Sequence, residues 1–294
     1  LLIILRNISE DDQEMLQMKF DKMYTTKDIY TIYNWMLDDC GCDLLPEVPY
    51  EKRKLPYEDV FPMLYLKYRL SGGNSTHKNI KHLVIDEMQD YTYLQYTILE
   101  SLFHCRMTIL GDRAQTLDTK QQDVLRFLPK LLGREIRTIE IKKSYRNTLE
   151  IARYAEKVSG VSDLELLDRH GKEVVEKTFN TDTELLDELV CHLKCPGDFE
   201  TAALITTTEE EAFDLSRLLK LRGINVSYVD RNSSAFKKGL TVTTFYLAKG
   251  LEFDQVFALR GAKENPLKNQ AEYICATRAL HELYVYEIAD SLSK

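Results

Sequence analysis

Two adjacent carboxylates, Asp86 and Glu87, directly follow three apolar residues, Leu83, Val84 and Ile85. An apolar run of this kind is typical of a buried strand. Acids at its end can bind a divalent metal and orient an attacking water in phosphate-transfer chemistry. The same residue types also follow strands as polar loop or helix-cap residues. The pair therefore leaves two alternatives, a site for Mg²⁺ and a nucleotide such as ATP, or a solvated turn.

Four further motifs follow in the chain. They are residues 111–115 (Gly-Asp-Arg-Ala-Gln), 143–147 (Lys-Ser-Tyr-Arg-Asn), 244–253 (Thr-Phe-Tyr-Leu-Ala-Lys-Gly-Leu-Glu-Phe) and 273–279 (Tyr-Ile-Cys-Ala-Thr-Arg-Ala). Together with the acidic pair, this set resembles the motor core of UvrD/Rep-type superfamily 1 helicases, from the Mg²⁺ motif to the last arginine motif. Five motifs in the family order make the resemblance specific.

The resemblance implies a site for ATP and Mg²⁺ between two RecA-like lobes. Asp86 would hold the metal and Glu87 would activate the attacking water, while Asp112 would brace the site by hydrogen bonds. Three residues would act on the phosphates: Gln115, Arg146 and Arg278. Guanidinium suits this task because its charge is permanent and its planar fork can bind two oxygen atoms.

The resemblance also implies contacts to the rest of the nucleotide and to nucleic acid. Tyr145 would stack on the adenine, and Glu252 would accept hydrogen bonds from the ribose. Gly250 would permit a tight turn beside Lys249. Thr244 and Lys249 would contact a nucleic-acid backbone, with single-stranded DNA as the expected partner. Without the motif context, a tyrosine at a strand end is more often a half-buried packing residue.

Two departures from the family pattern bear on function. Tyr246 stands where the family usually has histidine, and Thr116 stands where the family has an aromatic residue that stacks on bases. Stacking of this kind is worth ~1–3 kcal/mol per base. The run from 55–60 through 65–67, followed by the Mg²⁺ motif and residues 107–112, resembles the HelD group, which consists of helicase-like ATPases that associate with bacterial RNA polymerase. A polymerase-remodelling ATPase with little unwinding activity is therefore the alternative to a DNA translocase, and a binding module without hydrolysis is a third.

No phosphate-binding loop of the form G-x-x-x-x-G-K-[ST] occurs in the sequence, and residues 71–78 contain glycines and a lysine in a different order. Backbone amides of such a loop cradle the phosphates, and its lysine binds their charge. In the resembling family the loop precedes the Mg²⁺ motif. We therefore expect the chain to be the C-terminal part of a longer polypeptide and to be inactive alone.

Composition favours a two-domain globular protein. The chain has 294 residues, 44% hydrophobic content and a net charge of -8, which argues against a nucleic-acid contact over the whole surface. Residues 1–5 are aliphatic, but the run is far shorter than the roughly 20 residues of a membrane span. Six cysteines without zinc-ligand spacing fit a reduced, cytoplasmic protein without a membrane partner. Cys105 and Cys275 are expected in the core.

Hydrophobic patterning predicts an α/β fold of RecA-like parallel sheets covered by helices, with a partial first lobe and a complete second lobe. The predicted domains are an appended helical segment (1–56), the end of the first lobe (57–134) and the second lobe (135–294). The interval from Arg146 to Thr244 spans 98 positions (244 minus 146), so the large accessory insertion of the family is expected to be absent. Helices are predicted over 15–23, 29–37 and 57–70, and a fourth is predicted to end at residue 102. A fifth begins at a capping box formed by Thr208 and Glu211 and ends at Gly223. Strands are predicted at 83–85, 107–110, 139–141, 202–205, 226–229, 240–242, 256–259 and 283–285.

Overall fold

The computed structural model describes residues 9, 11–12, 14–16, 18–19, 26–70, 77, 79–115, 124–133, 136–160, 165–194, 199–233, 238–260 and 266–289. The chain divides into two compact units. The first unit comprises residues 1–111 and 122–136, and the second comprises residues 112–121 and 137–294. Four stretches with sequence-based expectations, 1–5, 20–23, 71–76 and 116–122, lie outside the described residues.

The first unit contains helices and one short parallel pair of strands. The elements are α1 (Ile29–Asp39), α2 (Tyr57–Leu70), β1 (His82–Ile85), α3 (Tyr93–Leu102), β2 (Arg106–Ile109) and α4 (Val124–Leu132). β1 pairs with β2 in parallel. The predicted bounds of α2 and the predicted strand before Asp86 are confirmed, and the described residues from 11 to 19 are helical.

The second unit is built on one parallel sheet. Its strands are β5 (Val175–Phe179), β6 (Thr201–Thr206), β7 (Ser227–Tyr228), β8 (Gly239–Thr244), β9 (Phe253–Arg260) and β10 (Ala279–Ile288). They lie in the order β5-β10-β9-β6-β8-β7, and every pairing is parallel. A separate two-stranded sheet joins β3 (Lys143–Ser144) to β4 (Glu165–Leu166).

Helices cover both faces of the six-stranded sheet because its strands are apolar on both sides. One face carries α5 (Leu149–Ser159) and α8 (Lys268–Arg278) over strand residues such as Ile205 and Val256. The other carries α6 (Asp182–Lys194) and α7 (Glu209–Leu221) over Leu204 and Phe257. Adjacent strand residues thus enter opposite cores. The predicted α/β class with a parallel sheet covered by helices is confirmed.

The predicted ends of α7 are also confirmed. The Thr208 hydroxyl accepts from the Glu211 amide, and the Glu211 side chain accepts from the Thr208 amide, which completes a capping box. Gly223 follows the helix with a φ of 78°. Glycine adopts this left-handed conformation without a steric penalty, so the helix ends there.

One predicted strand is wrong, and three strands among the described residues are additional. Residues 139–141 do not form a strand, and Ile139 and Ile141 are 71% and 79% exposed. Alternating β-branched residues favour a strand mainly when one face is buried, and here neither side chain is. β3, β4 and β5 were not predicted. Cys275 is buried as expected, whereas Cys105 is only partly buried.

No helix in the described part of the chain is long and apolar enough to cross a membrane.

Candidate active site

The acidic turn of the first unit begins where β1 ends. Asp86 is exposed, and its Oδ1 atom accepts the backbone N–H of Glu87 at 2.8 Å. Glu87 has φ 52° and ψ 51°, the one positive φ of a non-glycine residue in the described stretches. Side-chain sterics disfavour this backbone region, and such conformations concentrate at functional sites.

Buried groups hold this turn in place. The Gln89 Nε2 atom donates to Glu87 Oε2 at 2.5 Å, and Gln89 itself is buried. The backbone N–H of Met88 donates to the Leu110 carbonyl at 2.8 Å, which fastens the turn to the end of β2. The Glu87 carboxylate is therefore held in one orientation. The orienting role of Gln89 was not predicted from the sequence.

Gly111 lies against the same turn. A Cβ atom at this position would stand 2.7 Å from the Met88 backbone nitrogen and 2.5 Å from Gln89 Oε1, and would overlap the Met88 side chain. The close approach leaves no room for a side chain. The glycine of the 111–115 motif is thus required by packing against the residues that follow Glu87.

Asp112 is a hydrogen-bond acceptor at the centre of a cluster in the second unit. Its Oδ1 atom accepts from the Ala114 amide at 2.9 Å, and its Oδ2 atom accepts from Gln115 Nε2 at 3.0 Å and from the Tyr273 hydroxyl at 2.8 Å. Burial and the adjacent carboxylate raise the pKa of Tyr273, while the nearby Arg278 and Arg146 guanidinium groups oppose that rise. Tyr273 therefore stays a neutral donor to Asp112.

Gln115 and Arg278 meet in this cluster. The Arg278 Nη2 atom lies 3.4 Å from Gln115 Oε1, and Nη1 donates to the Leu251 carbonyl at 3.3 Å. Arg278 is the last residue of α8 and is 2% exposed, and Gln115 is also buried. A buried guanidinium sits in a low-dielectric environment, where its interaction with an approaching anion is stronger than in water.

Arg146 and Glu252 form an ion pair in the same unit, with 2.7 Å between Nε and Oε1. Both side chains are almost half exposed. Tyr145 precedes Arg146 and is 62% exposed, so its ring is available to a planar ligand. The accessible guanidinium, carboxylate and aromatic ring could thus exchange their present contacts for those of a nucleotide.

Two residues at the end of β8 and in the turn after it were predicted to contact nucleic acid. They are Thr244, the last residue of the strand, and Lys249. The Ala248 amide donates to the Thr244 carbonyl at 2.9 Å, and Gly250 has a φ of 80°. Lys249 is partly buried. Thr244 is 1% exposed, and its hydroxyl has no hydrogen-bond partner among the described residues. Its contact with a nucleic-acid backbone stays a prediction.

Tyr246, the residue that departs from the family pattern, is fixed by side chains of neighbouring elements. Its hydroxyl donates to Glu209 Oε1 at 2.9 Å, and the Arg231 guanidinium lies 5.7 Å from the centre of its ring. Arg231 also pairs with Glu209. Sequence reasoning identified the substitution but not the two charged partners.

The sequence predicts that Asp86 holds a Mg²⁺ ion. Among the described residues, no group of three or more His, Cys, Asp or Glu side chains is arranged to hold a metal ion. An exposed carboxylate such as Asp86 nevertheless fits Mg²⁺, which retains several waters and is commonly bound by one or two carboxylates and the phosphates of its nucleotide.

The solved structures that are similar to this chain include two helicase proteins. The C-terminal domain of a possible DNA helicase from Lactobacillus plantarum WCFS1 is 26% identical over 49% of this chain and 88% of that chain, with a TM-score of 0.41. The PRRSV helicase is 17% identical over 72% of this chain and 36% of that chain, with a TM-score of 0.40. No family model and no curated protein match the chain.

Proposed function

We propose that the chain carries ATP-hydrolysing machinery of a superfamily 1 helicase, with RecA-like architecture, and that hydrolysis drives movement along DNA. The observation that supports this proposal most directly is the cluster in which Asp112 and Gln115 contact Tyr273 and Arg278. These residues belong to two motifs that are far apart in sequence. Their convergence supports a common task in binding phosphate.

The chemistry of the cluster suits phosphoryl transfer. The transferred group carries negative charge on several oxygens, and catalysis comes largely from positioned charges and hydrogen-bond donors. Arg278 supplies a permanent positive charge, and Asp112 fixes the amide of Gln115 by accepting from its Nε2 atom. The exposed Arg146 is the second cation, and Glu252 and Tyr145 would take the ribose and the adenine.

The carboxylates of the acidic turn have proposed roles of their own. Asp86 would hold Mg²⁺, which neutralises phosphate charge when it is bound. Glu87 would accept a proton from the attacking water, since its carboxylate is oriented by Gln89. A general base must lie within hydrogen-bond reach of the water it activates, so a fixed carboxylate suits this role.

The test is ATP turnover by the natural polypeptide that contains this sequence. We expect Arg278→Lys and Arg278→Ala to lower kcat by about 10²-fold or more, because charge stabilisation of the transition state is lost. Glu87→Gln should preserve ATP binding while stopping turnover. Arg217→Ala is the matched control, since Arg217 is an exposed arginine of α7 that pairs with Asp214.

Near-normal turnover in either Arg278 variant would contradict the proposal. An equal loss in Arg217→Ala would mean that any arginine removal impairs the protein. Binding is measured separately with a fluorescent ATP analogue, so that a loss of chemistry is distinguished from a loss of affinity.

A second candidate is an ATPase of the HelD kind that remodels bacterial RNA polymerase. The observation that favours it is Thr116 in place of a base-stacking aromatic, together with the net charge of -8. A motor that moves on DNA should be strongly stimulated by single-stranded DNA, and a polymerase factor by its protein partner.

The two candidates are separated by titrating the natural polypeptide with single-stranded DNA and, independently, with core RNA polymerase. Stimulation by polymerase with weak DNA stimulation and poor unwinding would favour the second candidate. Strong, salt-sensitive stimulation by DNA with duplex unwinding and no effect of polymerase would exclude it.

A further inference from the structure

Asn147 ties the segment that carries Arg146 to the segment that carries Arg278. Its side chain is buried, and its Nδ2 atom donates to the Ala276 carbonyl at 3.2 Å and to the Ala279 carbonyl at 2.6 Å. These carbonyls lie on either side of Arg278, where α8 ends. Carbonyls at a helix C-terminus have no partner within the helix and must be satisfied from outside.

Arg169 forms a second connection between the same two segments. Its Nη1 atom donates to the Arg146 carbonyl at 3.2 Å, and its Nη2 atom lies 2.9 Å from His281 Nδ1. His281 follows Arg278 by three positions, within β10. The Arg169 carbonyl in turn accepts the Leu149 amide at 2.8 Å, at the start of α5. The backbone around Arg146 is thus held on both sides.

We propose that Asn147 is a positioning residue that holds Arg146 in register with Arg278, and that Arg169 reinforces it. The inference rests on the proposed function, because that function assigns both arginines to the phosphates of ATP. Two charges act together on a phosphoryl group only when their positions are fixed to a fraction of an ångström. The Arg146 side chain is long and half exposed and pairs with Glu252, and the backbone contacts fix the position from which that side chain extends.

The side-chain chemistry explains why an amide stands at position 147. Its NH₂ group has two donor hydrogens, which matches the two carbonyl acceptors. Alanine would leave both buried carbonyls without this donor, and aspartate would place a negative oxygen against them. An asparagine therefore satisfies the end of α8 and fixes the neighbouring Arg146 in the same contact.

The experiment uses the 294-residue chain itself and the Nε–Hε NMR signals of Arg146 and Arg278. We expect Asn147→Ala to shift or broaden both signals in addition to lowering Tm. The matched control is Val190→Ala, a truncation on α6 in the core on the opposite face of the sheet. It should lower Tm while both arginine signals keep their wild-type positions.

A second pair of variants keeps the test decisive if Asn147→Ala does not fold. Arg169→Gln removes the other connection and should move the Arg146 signal. The control is His170→Gln, which alters the adjacent residue. His170 hydrogen-bonds to Glu150, so this variant should leave the Arg146 signal in place. Unchanged arginine signals in Asn147→Ala, or in Arg169→Gln where that variant replaces it, would overturn the proposal. Equal movement in Val190→Ala would overturn it as well.

Failure of the proposed function gives a different result. Mg-ATP is titrated into the natural polypeptide that contains this sequence, because the 294 residues include no phosphate-binding loop, while the same two signals are followed. If nucleotide moves neither signal at any concentration but Asn147→Ala moves both, the assignment of these arginines to ATP fails. The positioning role of Asn147 then stands as a property of the fold.

Discussion

The Nη2 atom of Arg278 lies 3.4 Å from Oε1 of Gln115, although 163 positions of sequence separate the two residues. Arg278 ends a helix, and Gln115 ends a single 3₁₀ turn. Because the Gln115 amide also donates to Asp112, its orientation is set from both ends. Substitution of either residue therefore changes the contacts of the other side chain, and mutagenesis can measure this coupling.

The 294-residue chain should not turn over ATP by itself. Its sequence has no phosphate-binding loop, and the backbone amides and lysine of such a loop provide most of the contacts to the phosphates. The measurement is phosphate release from ATP by the purified chain. Turnover that matches a complete motor and disappears in Glu87→Gln would show that another part of the chain performs this task.

Tyr273→Phe should destabilise the second unit by about 1–3 kcal/mol, because a buried hydrogen bond to the Asp112 carboxylate is lost. The tyrosine hydroxyl lies 2.8 Å from Asp112 Oδ2. Urea denaturation followed by circular dichroism measures the change. Tyr145→Phe, which alters an exposed tyrosine, should stay within about 0.5 kcal/mol of wild type. Equal losses would show that the Asp112 contact contributes nothing specific.

The pair formed by His170 and Glu150 should make stability depend on pH. The hydrogen bond between His170 and the Glu150 carboxylate holds the pKa of Glu150 at about 2, below the ordinary 4.5. The Glu150 and Asp168 carboxylates raise the pKa of His170 above 6.5. The contribution of Glu150 is present above pH 4.5 and is lost as pH falls towards 2. That of His170 is complete below pH 6.5 and is lost as pH rises through its raised pKa.

The stabilisation should therefore be greatest between about pH 4.5 and 6.5. We expect the Tm difference between wild type and His170→Gln to be largest in this window and to shrink on either side. Thermal melts across the pH range check this, with His104→Gln, an exposed histidine of the first unit, as control. A difference that does not vary with pH would rule out the ionic origin.

Gly111→Ala should destabilise the first unit by ~1–3 kcal/mol through overpacking, because the added Cβ overlaps Met88 and Gln89. Gly133→Ala provides the comparison, since nothing lies within 4 Å of its Cβ position and the cost is backbone strain alone at a φ of 57°. Urea denaturation of both variants measures the difference. A smaller loss for Gly111→Ala than for Gly133→Ala would show that the turn relaxes freely.

Local signals in the sequence predicted the elements that carry their own start and stop residues. The capping box at Thr208 and the glycine at 223 act within a few residues, so they define α7 without reference to the rest of the fold. β5 had no such signal. Its three central residues are polar and exposed, and the strand exists because β10 pairs with it from far along the sequence.

The site follows the same division. The motifs predicted Asp112, Gln115, Arg146 and Arg278 as site residues, since each belongs to a short recognisable stretch. The contacts of Tyr273 with Asp112 and of Arg146 with Glu252 depend on distant segments. Residue type alone also failed to mark Asn147, because an asparagine after an arginine is ordinary in a loop. Its two partners became visible only in three dimensions.

The position of β10 between two other strands has a consequence for synthesis on the ribosome. β10 is the last strand along the described chain, yet it lies between β5 and β9. Until residues 279–288 emerge, β5 lacks its neighbour and β9 presents an open edge, and open edges promote association between nascent chains. Arg278 immediately precedes this strand. The sheet and the arginine cluster are consequently completed together, when residues 278–288 emerge.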